Sequence, residues 1–341
     1  MEKSKPAVKK LGIIIEPTKR KFEEEAVFNP GCWQEGEFVH MFYRALDRDN
    51  KSSVGYAKLK GPTKVVQRWK KPIISREYPY ESRGIEDPRI VKIDDTFYIT
   101  YVAHDGKNAV TCLATSKNLK QFSKKGIITA KIEYRDVRKL LEKTKLKKAY
   151  FSCASYYERE SGADVLFWGK DVIIFPKKIN GKFAMLHRLL PGIQIVFFKK
   201  FSDLNKKFWE HYFRNLHKYT ILENKYSFES SHIGGGCSPI ETKDGWLIIF
   251  HATDKKKVYR ASAALLDKKN PLKVIGRLKK PFFSPTKEWE KEGFVPNVVF
   301  PTGTAIFDDT LYIYYGAADK RIAVASIKIE KLLKELKNSK S

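Results

Sequence analysis

One short run holds the residue types of proton-transfer chemistry: Gly84-Ile85-Glu86-Asp87-Pro88-Arg89-Ile90. Asp87 precedes a proline, and such a residue is pushed out of the helical region, so the sequence predicts an extended backbone there. Arg89 supplies a fixed cation suited to orienting a carboxylate. The same features would equally serve a structural turn closed by a salt bridge. Five apolar and aromatic runs elsewhere end in Arg44, Val102, Arg188, His251 and Gly316. Three of these are basic or titratable, where a purely structural strand prefers Val or Tyr. One such residue at a strand end is ordinary surface; several converging on one point would make a site.

The elements that would bring them together form a repeat. A polar turn, an aromatic-rich strand, a second turn and another apolar strand recur five times. The turns are Glu35-Gly36, Asp94-Asp95, Asn180-Gly181, Asp244-Gly245 and Asp308-Asp309, ahead of strands starting at Val39, Phe97, Phe183, Trp246 and Leu311. Turn chemistry before a β-branched and aromatic run is a hairpin signal. The starts lie 58, 86, 63 and 65 residues apart, which fits blades of about 40–50 residues with longer loops. The expected fold is therefore all-β: a five-bladed β-propeller, with residues 1–341 as a single catalytic domain. Glu133 to Lys148 is charged, lacks Gly and Pro, and reads as a short inserted helix. Leu204 to Asn215 reads as a second helix, and Glu330 to Lys337 as a short, exposed C-terminal one.

The chain has 341 residues, 42% hydrophobic and 13% aromatic, and a formal charge of +27. That composition belongs to a globular protein and excludes disorder. The charge raises nucleic-acid binding, but the lysines are scattered and no nucleic-acid motif accompanies them. A Lys-rich surface that draws in anions is the expectation. No apolar stretch approaches the roughly 20 residues of a membrane span, and the run Leu11 to Ile15 after the basic start is too short for a signal-peptide core. The expected compartment is the cytoplasm. Cys32, Cys112, Cys153 and Cys237 are far apart, which predicts buried thiols and neither a disulfide framework nor a metal site.

The run Gly84-Ile85-Glu86-Asp87-Pro88-Arg89 resembles the signature of glycoside hydrolase family 130, the β-mannoside phosphorylases and related mannosidases. The likeness continues in order through Phe28-Asn29-Pro30, Leu113-Ala114-Thr115-Ser116, Lys170-Asp171, Phe175-Pro176, Asn180-Gly181-Lys182, Leu186-His187-Arg188, Ile233-Gly234-Gly235-Gly236, Val295-Pro296-Asn297-Val298-Val299-Phe300 and Tyr314-Tyr315-Gly316-Ala317-Ala318-Asp319. The resemblance implies a five-bladed propeller and inverting attack on a β-mannoside, of the β-1,4-mannooligosaccharide or mannosyl-glucose/N-acetylglucosamine type. Asp87 would be the general acid, its proton passing through the mannose 3-hydroxyl. Arg44 and Asp319 match positions that hold the mannose, with Asn108 and Asp171 in the same role.

An inverting glycosidase needs a second carboxylate to activate water, whereas a phosphorylase needs cations and donors to aim phosphate. The resemblance places a phosphate-binding histidine at His251, and His232 where a lysine is expected. Two further cations, usually arginine, fall near Lys107 and Lys124 or Lys125. No carboxylate stands at position 232 or 251, so phosphorolysis is expected, with inorganic phosphate as co-substrate and no cofactor. Hydrolysis stays open, with Glu81, Glu86 and Glu229 as candidate bases. A noncatalytic carbohydrate- or nucleic-acid-binding propeller is the third alternative.

Overall fold

Asp94, Asn180 and Asp308 take φ of 54, 49 and 52°, and Gly36 and Gly245 take 58 and 142°. Gly, Asn and Asp tolerate this left-handed backbone, so each expected hairpin closes at its turn. In the computed structural model, which describes residues 8–162 and 164–339, these hairpins sit inside five antiparallel units; of the basic start, residues 1–7 lie outside the described residues. Strand β1 (Lys9–Ile15) comes first. Unit one is β2 (Ala26–Glu35), β3 (Phe38–Leu46), β4 (Ser52–Lys60) and β5 (Lys64–Arg68). Unit two is β6 (Gly84–Ile93), β7 (Thr96–His104), β8 (Ala109–Ser116) and β9 (Ser123–Ile127). Unit three is β10 (Lys170–Ile174), β11 (Phe183–Leu189), β12 (Gly192–Phe198) and β13 (Thr220–Leu222). Unit four is β14 (His232–Gly235) with β15 (Ile240–Thr242), then β16 (Gly245–Thr253), β17 (Tyr259–Leu266) and β18 (Val274–Arg277). Unit five is β19 (Val299–Phe307), β20 (Thr310–Ala317) and β21 (Arg321–Lys328). β1 pairs with β21 and supplies the fourth strand of unit five.

The chain is thus mostly strand. Units one and two share one sheet through a single parallel bridge, Ser52 to Gly84, and no sheet of described residues closes on itself. The units follow one another in a cycle: β2 packs on β6, β6 on β10, β10 on β14, β16 on β19, and β19 returns to β2. The expected strands are the second and third of each unit. The innermost ones escaped the two-residue pattern because bulges break it. Register shifts fall between Phe28 and Gly31, Glu86 and Arg89, and Lys170 and Ile173. Inside those bulges Asn29, Asp87 and Asp171 take φ of 48, 48 and 55°. The extended backbone expected of Asp87 is therefore corrected: the bulge overrides the preference set by Pro88.

A second repeat closes four of the units. In each, a buried glutamate in a single 3-10 or α turn follows an aromatic residue: Phe22-Glu23, Tyr80-Glu81, Phe228-Glu229 and Trp289-Glu290. Each pairs with a cation from the unit's outermost strand, Arg68 at 2.7 Å, Lys124 at 2.5 Å, Arg277 at 2.7 Å and Lys10 at 2.5 Å. Tyr43, Tyr101 and Tyr315 donate to Glu23, Glu81 and Glu290. Unit three lacks the clasp and carries helices instead.

The single insertion helix expected over 133–148 is two helices, α1 (Tyr134–Leu141) and α2 (Lys148–Ser161). Thr144 donates both its N–H and its hydroxyl to the Leu141 carbonyl and stops α1; the lysines at 143, 145, 147 and 148 repel one another across the gap. The second expected helix is α3 (Lys206–Arg214), capped by Asn205. After a one-turn helix, α4 (Glu288–Lys291), the chain ends on α5 (Ile329–Asn338). That last helix is not simply exposed: Leu332, Leu333 and Leu336 are buried against strands of units four and five. Among the described residues, no helix is long and apolar enough to cross a membrane.

Candidate active site

The bulged inner strands and the ends of the second strands place two groups of polar side chains in contact. The first surrounds Asp87. Asn29, from the β2 bulge, donates Nδ2–H to Asp87 Oδ1 at 2.9 Å, and a side chain at Gly316 would collide with Asn29. Arg44, at the β3 end, lies over the Phe28 ring, 2.7 Å from Glu86 Oε1 and 3.8 Å from Asp87 Oδ1. Lys170 Nζ is 3.5 Å from the other Glu86 oxygen. Burial would raise the Glu86 carboxyl, but Arg44 and Lys170 outweigh it and hold the pKa at about 2. Asp319 behaves oppositely. Burial and then the Asp87 charge push its pKa up to about 7, against the pull of Arg44. The group therefore holds carboxyls of contrasting proton affinity, as acid chemistry requires.

The second group lies around Arg188. Its guanidinium is 3.1 Å from Asp171 Oδ2 and 3.4 Å from His251 Nε2. Arginine only donates, so His251 Nε2 accepts and the ring proton sits on Nδ1. His251 is fully buried and stacks on Phe300 at 4.4 Å. Burial and Arg188 push its pKa well down. His232, 5.8 Å away ring to ring, is pushed down to about 2 by burial and then by Arg188. Both imidazoles are thus neutral. Tyr259, 6.0 Å from the His232 ring, feels the charges of Arg188, Asp319 and Asp171, so the two groups adjoin there. A side chain at Gly234 would collide with Asp171 Oδ2 and His251, so this glycine permits close approach and is not itself an anion cradle.

Of the expected residues, Asp87, Arg44 and Asp319 come together, as do His232 and His251. Asp171 joins the histidines and Arg188, not the Asp87 group. Asn108 holds loops: its amide bonds Asp105, and its Oδ1 accepts the Leu166 N–H. Lys107 pairs with Asp164 at the surface. Lys124 bonds Glu81 and the Ser75 carbonyl in the clasp of unit two, and Lys125 bonds Ser123. None of these lysines is brought to the histidines. The expected role of Arg89 is corrected as well. It donates to the carbonyls of Gly236, Asp87 and Pro88, fixing the bulge's backbone and not the Asp87 carboxylate. Glu81 and Glu229, offered as bases for hydrolysis, are fully buried clasp residues. Sequence reasoning missed Asn29 and Lys170, and left Arg188 without a role. Their bulged motifs, Asn29-Pro30 and Lys170-Asp171 beside Asp87-Pro88, held the signal. Among the described residues, no group of His, Cys, Asp and Glu could hold a metal ion.

A protein-family model described as beta-1,4-mannooligosaccharide phosphorylase matches residues 3–155 and 154–338. A 1,2-beta-oligomannan phosphorylase of Thermoanaerobacter sp. (strain X514) is 37% identical over 328 residues, 93% of this chain and 95% of that one. A beta-1,2-mannobiose phosphorylase of the same strain is 34% identical over 336 residues, 94% and 96% of the two chains. The solved beta-1,2-mannobiose phosphorylase from Listeria innocua, in complex with beta-1,2-mannobiose, shares the fold at a TM-score of 0.72 and 24% identity, covering 99% of this chain and 98% of that one.

Proposed function

Since the chain belongs to glycoside hydrolase family 130, we propose that it is an inverting β-mannoside phosphorylase releasing mannose 1-phosphate. The five units in cyclic order support a five-bladed propeller forming one catalytic domain, with the reaction where the inner strands meet. Asp87 is the general acid, working through the mannose 3-hydroxyl. Arg44, Asn29 and Asp319 hold the mannose around it. Arg188 and His232 receive phosphate on the other side of the sugar, Lys170 reaches it from the Asp87 group as the cross-strand neighbour of Arg188, and His251 supports Arg188 from behind.

The observation that carries this reading is the state of the carboxylates. Glu81 and Glu229 are locked in clasps, and Glu86 is bound by Arg44 and Lys170. That leaves no carboxylate among these three free to activate water, while cations stand ready for an anionic nucleophile. The two relatives matched over more than nine-tenths of both chains are named for β-1,2 linkages, so a β-1,2-mannoside replaces the β-1,4 expectation as the proposed substrate.

Asp171 favours the second reading, hydrolysis, because it is a carboxylate on the cation side. It is nearly fully buried and paired with Arg188 at 3.1 Å. Incubating the enzyme with β-1,2-mannobiose and β-1,4-mannobiose, with and without phosphate, tests both readings. Mannose 1-phosphate formed from the β-1,2 substrate only when phosphate is present is expected. Free mannose at a rate indifferent to phosphate would establish hydrolysis instead.

A further inference from the structure

A carboxylate in the pocket of a phosphorylase is a liability unless the anion brings a proton to it. Asp171 stands in that position. Its Oδ2 lies 3.1 Å from the Arg188 guanidinium but accepts no hydrogen bond, so the pair is electrostatic and the oxygen's lone pairs stay unused. His251 Nε2, 3.9 Å away, has its own lone pair directed to Arg188 and cannot donate to the carboxylate. Gly234 backs directly onto Asp171 Oδ2 and His251, where any side chain would collide with them, and it offers the carboxylate no side-chain donor. The Asp171 side chain is 4% exposed, on the side of the Arg188 and histidine group. A buried acceptor without a donor is costly, and a ligand that supplies the donor recovers that cost.

We propose that Asp171 makes this pocket selective for a protonated oxyanion, accepting a hydrogen bond from the P–OH of phosphate and excluding sulfate. The inference rests on the phosphorolysis reading and names a specificity-determining residue for it. Phosphate and arsenate keep a hydroxyl proton near neutral pH, whereas sulfate has none. The three share tetrahedral shape and nearly the same size, so Arg188 and Lys170 alone would take each of them. Against sulfate, Asp171 faces a bare anionic oxygen: the hydrogen bond is lost and like charges meet. Sites built to bond a substrate hydroxyl reject the analogue lacking it strongly, by up to about 10⁴–10⁵-fold when fully enclosed. A pocket partly open to water retains a smaller factor, of at least about 100-fold.

The test is calorimetric titration of the full-length enzyme with inorganic phosphate, arsenate and sulfate at constant ionic strength. Phosphate and arsenate are expected to bind alike and sulfate at least about 100-fold more weakly. Asp171→Asn, whose amide can donate to sulfate, should narrow that gap to within about tenfold; thermal unfolding checks that this variant is folded, and the wild-type comparison stands without it. Sulfate binding the wild type within tenfold of phosphate would overturn the proposal, as would continued sulfate exclusion by a folded Asp171→Asn variant. Failure of phosphate itself to bind would remove the phosphorolysis reading along with it, so the two failures are distinguishable.

Discussion

Lys124 is where two accounts of one residue part most sharply. Resemblance made it a phosphate ligand; the structure puts its ammonium 2.5 Å from Glu81 Oε2 and 2.7 Å from the Ser75 carbonyl. Lys124→Met keeps most of the side chain's bulk and leaves the fully buried Glu81 carboxylate without its cation. Breaking a buried ion pair from one side costs about 3–5 kcal/mol. Glu81 still accepts from Tyr101 Oη and from the backbone N–H groups of Glu77 and Tyr78, which puts the loss near the lower figure. At about 2 cal/mol/K per residue, unfolding entropy for this length is about 0.7 kcal/mol/K, so 3 kcal/mol lowers the Tm by about 4 °C. The double variant Glu81→Gln/Lys124→Met removes both charges and should recover part of that loss. Thermal unfolding, together with initial rates against phosphate concentration, reads both quantities. An unchanged Tm with a phosphate KM raised tenfold or more would refute the clasp and return Lys124 to the anion site.

Asp87→Asn should lower kcat by about 10²–10⁴-fold while leaving the Tm within about 2 °C; substantial residual turnover of mannobiose would show that the acid lies elsewhere. Arg188→Met should raise the phosphate KM by about 10–100-fold through loss of a charge-assisted contact, and should also lower the Tm because Asp171 is left uncompensated; an unaltered KM would remove Arg188 from the pocket. Asp319 gives a pH signature. Its folded pKa of about 7 lies above the unfolded one, so the folded state holds the extra proton and the group's contribution to stability falls as pH rises from about 4 to 7. Compared with Asp319→Asn, the wild type should therefore lose Tm over that window, and parallel Tm profiles would contradict the assignment. His232→Lys should lower the phosphate KM and steepen its salt dependence, because a neutral imidazole at pKa about 2 is replaced by a cation; kinetics at two ionic strengths will show whether it does.

What the sequence made legible followed from regular physics. The hairpins at Asp94, Asn180 and Asp308 were readable because left-handed turn residues and alternating aromatic strands each leave a pattern. The inner strands were not, because a bulge at Asn29, Asp87 or Asp171 shifts the alternation midway and makes one strand look like a turn between two. The clasps were legible in principle, since an aromatic residue before a glutamate recurs at Glu23, Glu81, Glu229 and Glu290. Their cations come from strands 43 to 280 residues away in sequence, and no local pattern links such partners. That separation is why Lys124 could be mistaken for a ligand and Lys170 overlooked.

The bulges tie the fold to the chemistry. A regular strand alternates its side chains between the two faces of its own sheet, and neither face looks along the meeting line of the units. A bulge leaves one residue out of the ladder and redirects it. In three successive units that residue is Asn29, Asp87 or Asp171, a short polar side chain that tolerates positive φ. Holding a non-glycine residue there costs on the order of 1–3 kcal/mol each. Arg89 secures the second bulge by bonding the carbonyls of Asp87, Pro88 and Gly236, and Asn29 is in turn bonded to Asp87. Two adjacent units thereby fix the proposed acid from both backbone and side chain, while the third sends its carboxylate to Arg188. Units that shared the same bulge but carried Asn, Asp and Asp in a different order would mix acid and anion groups. On the proposed reading, the order along the chain sets which side of the sugar would meet a proton and which would meet phosphate.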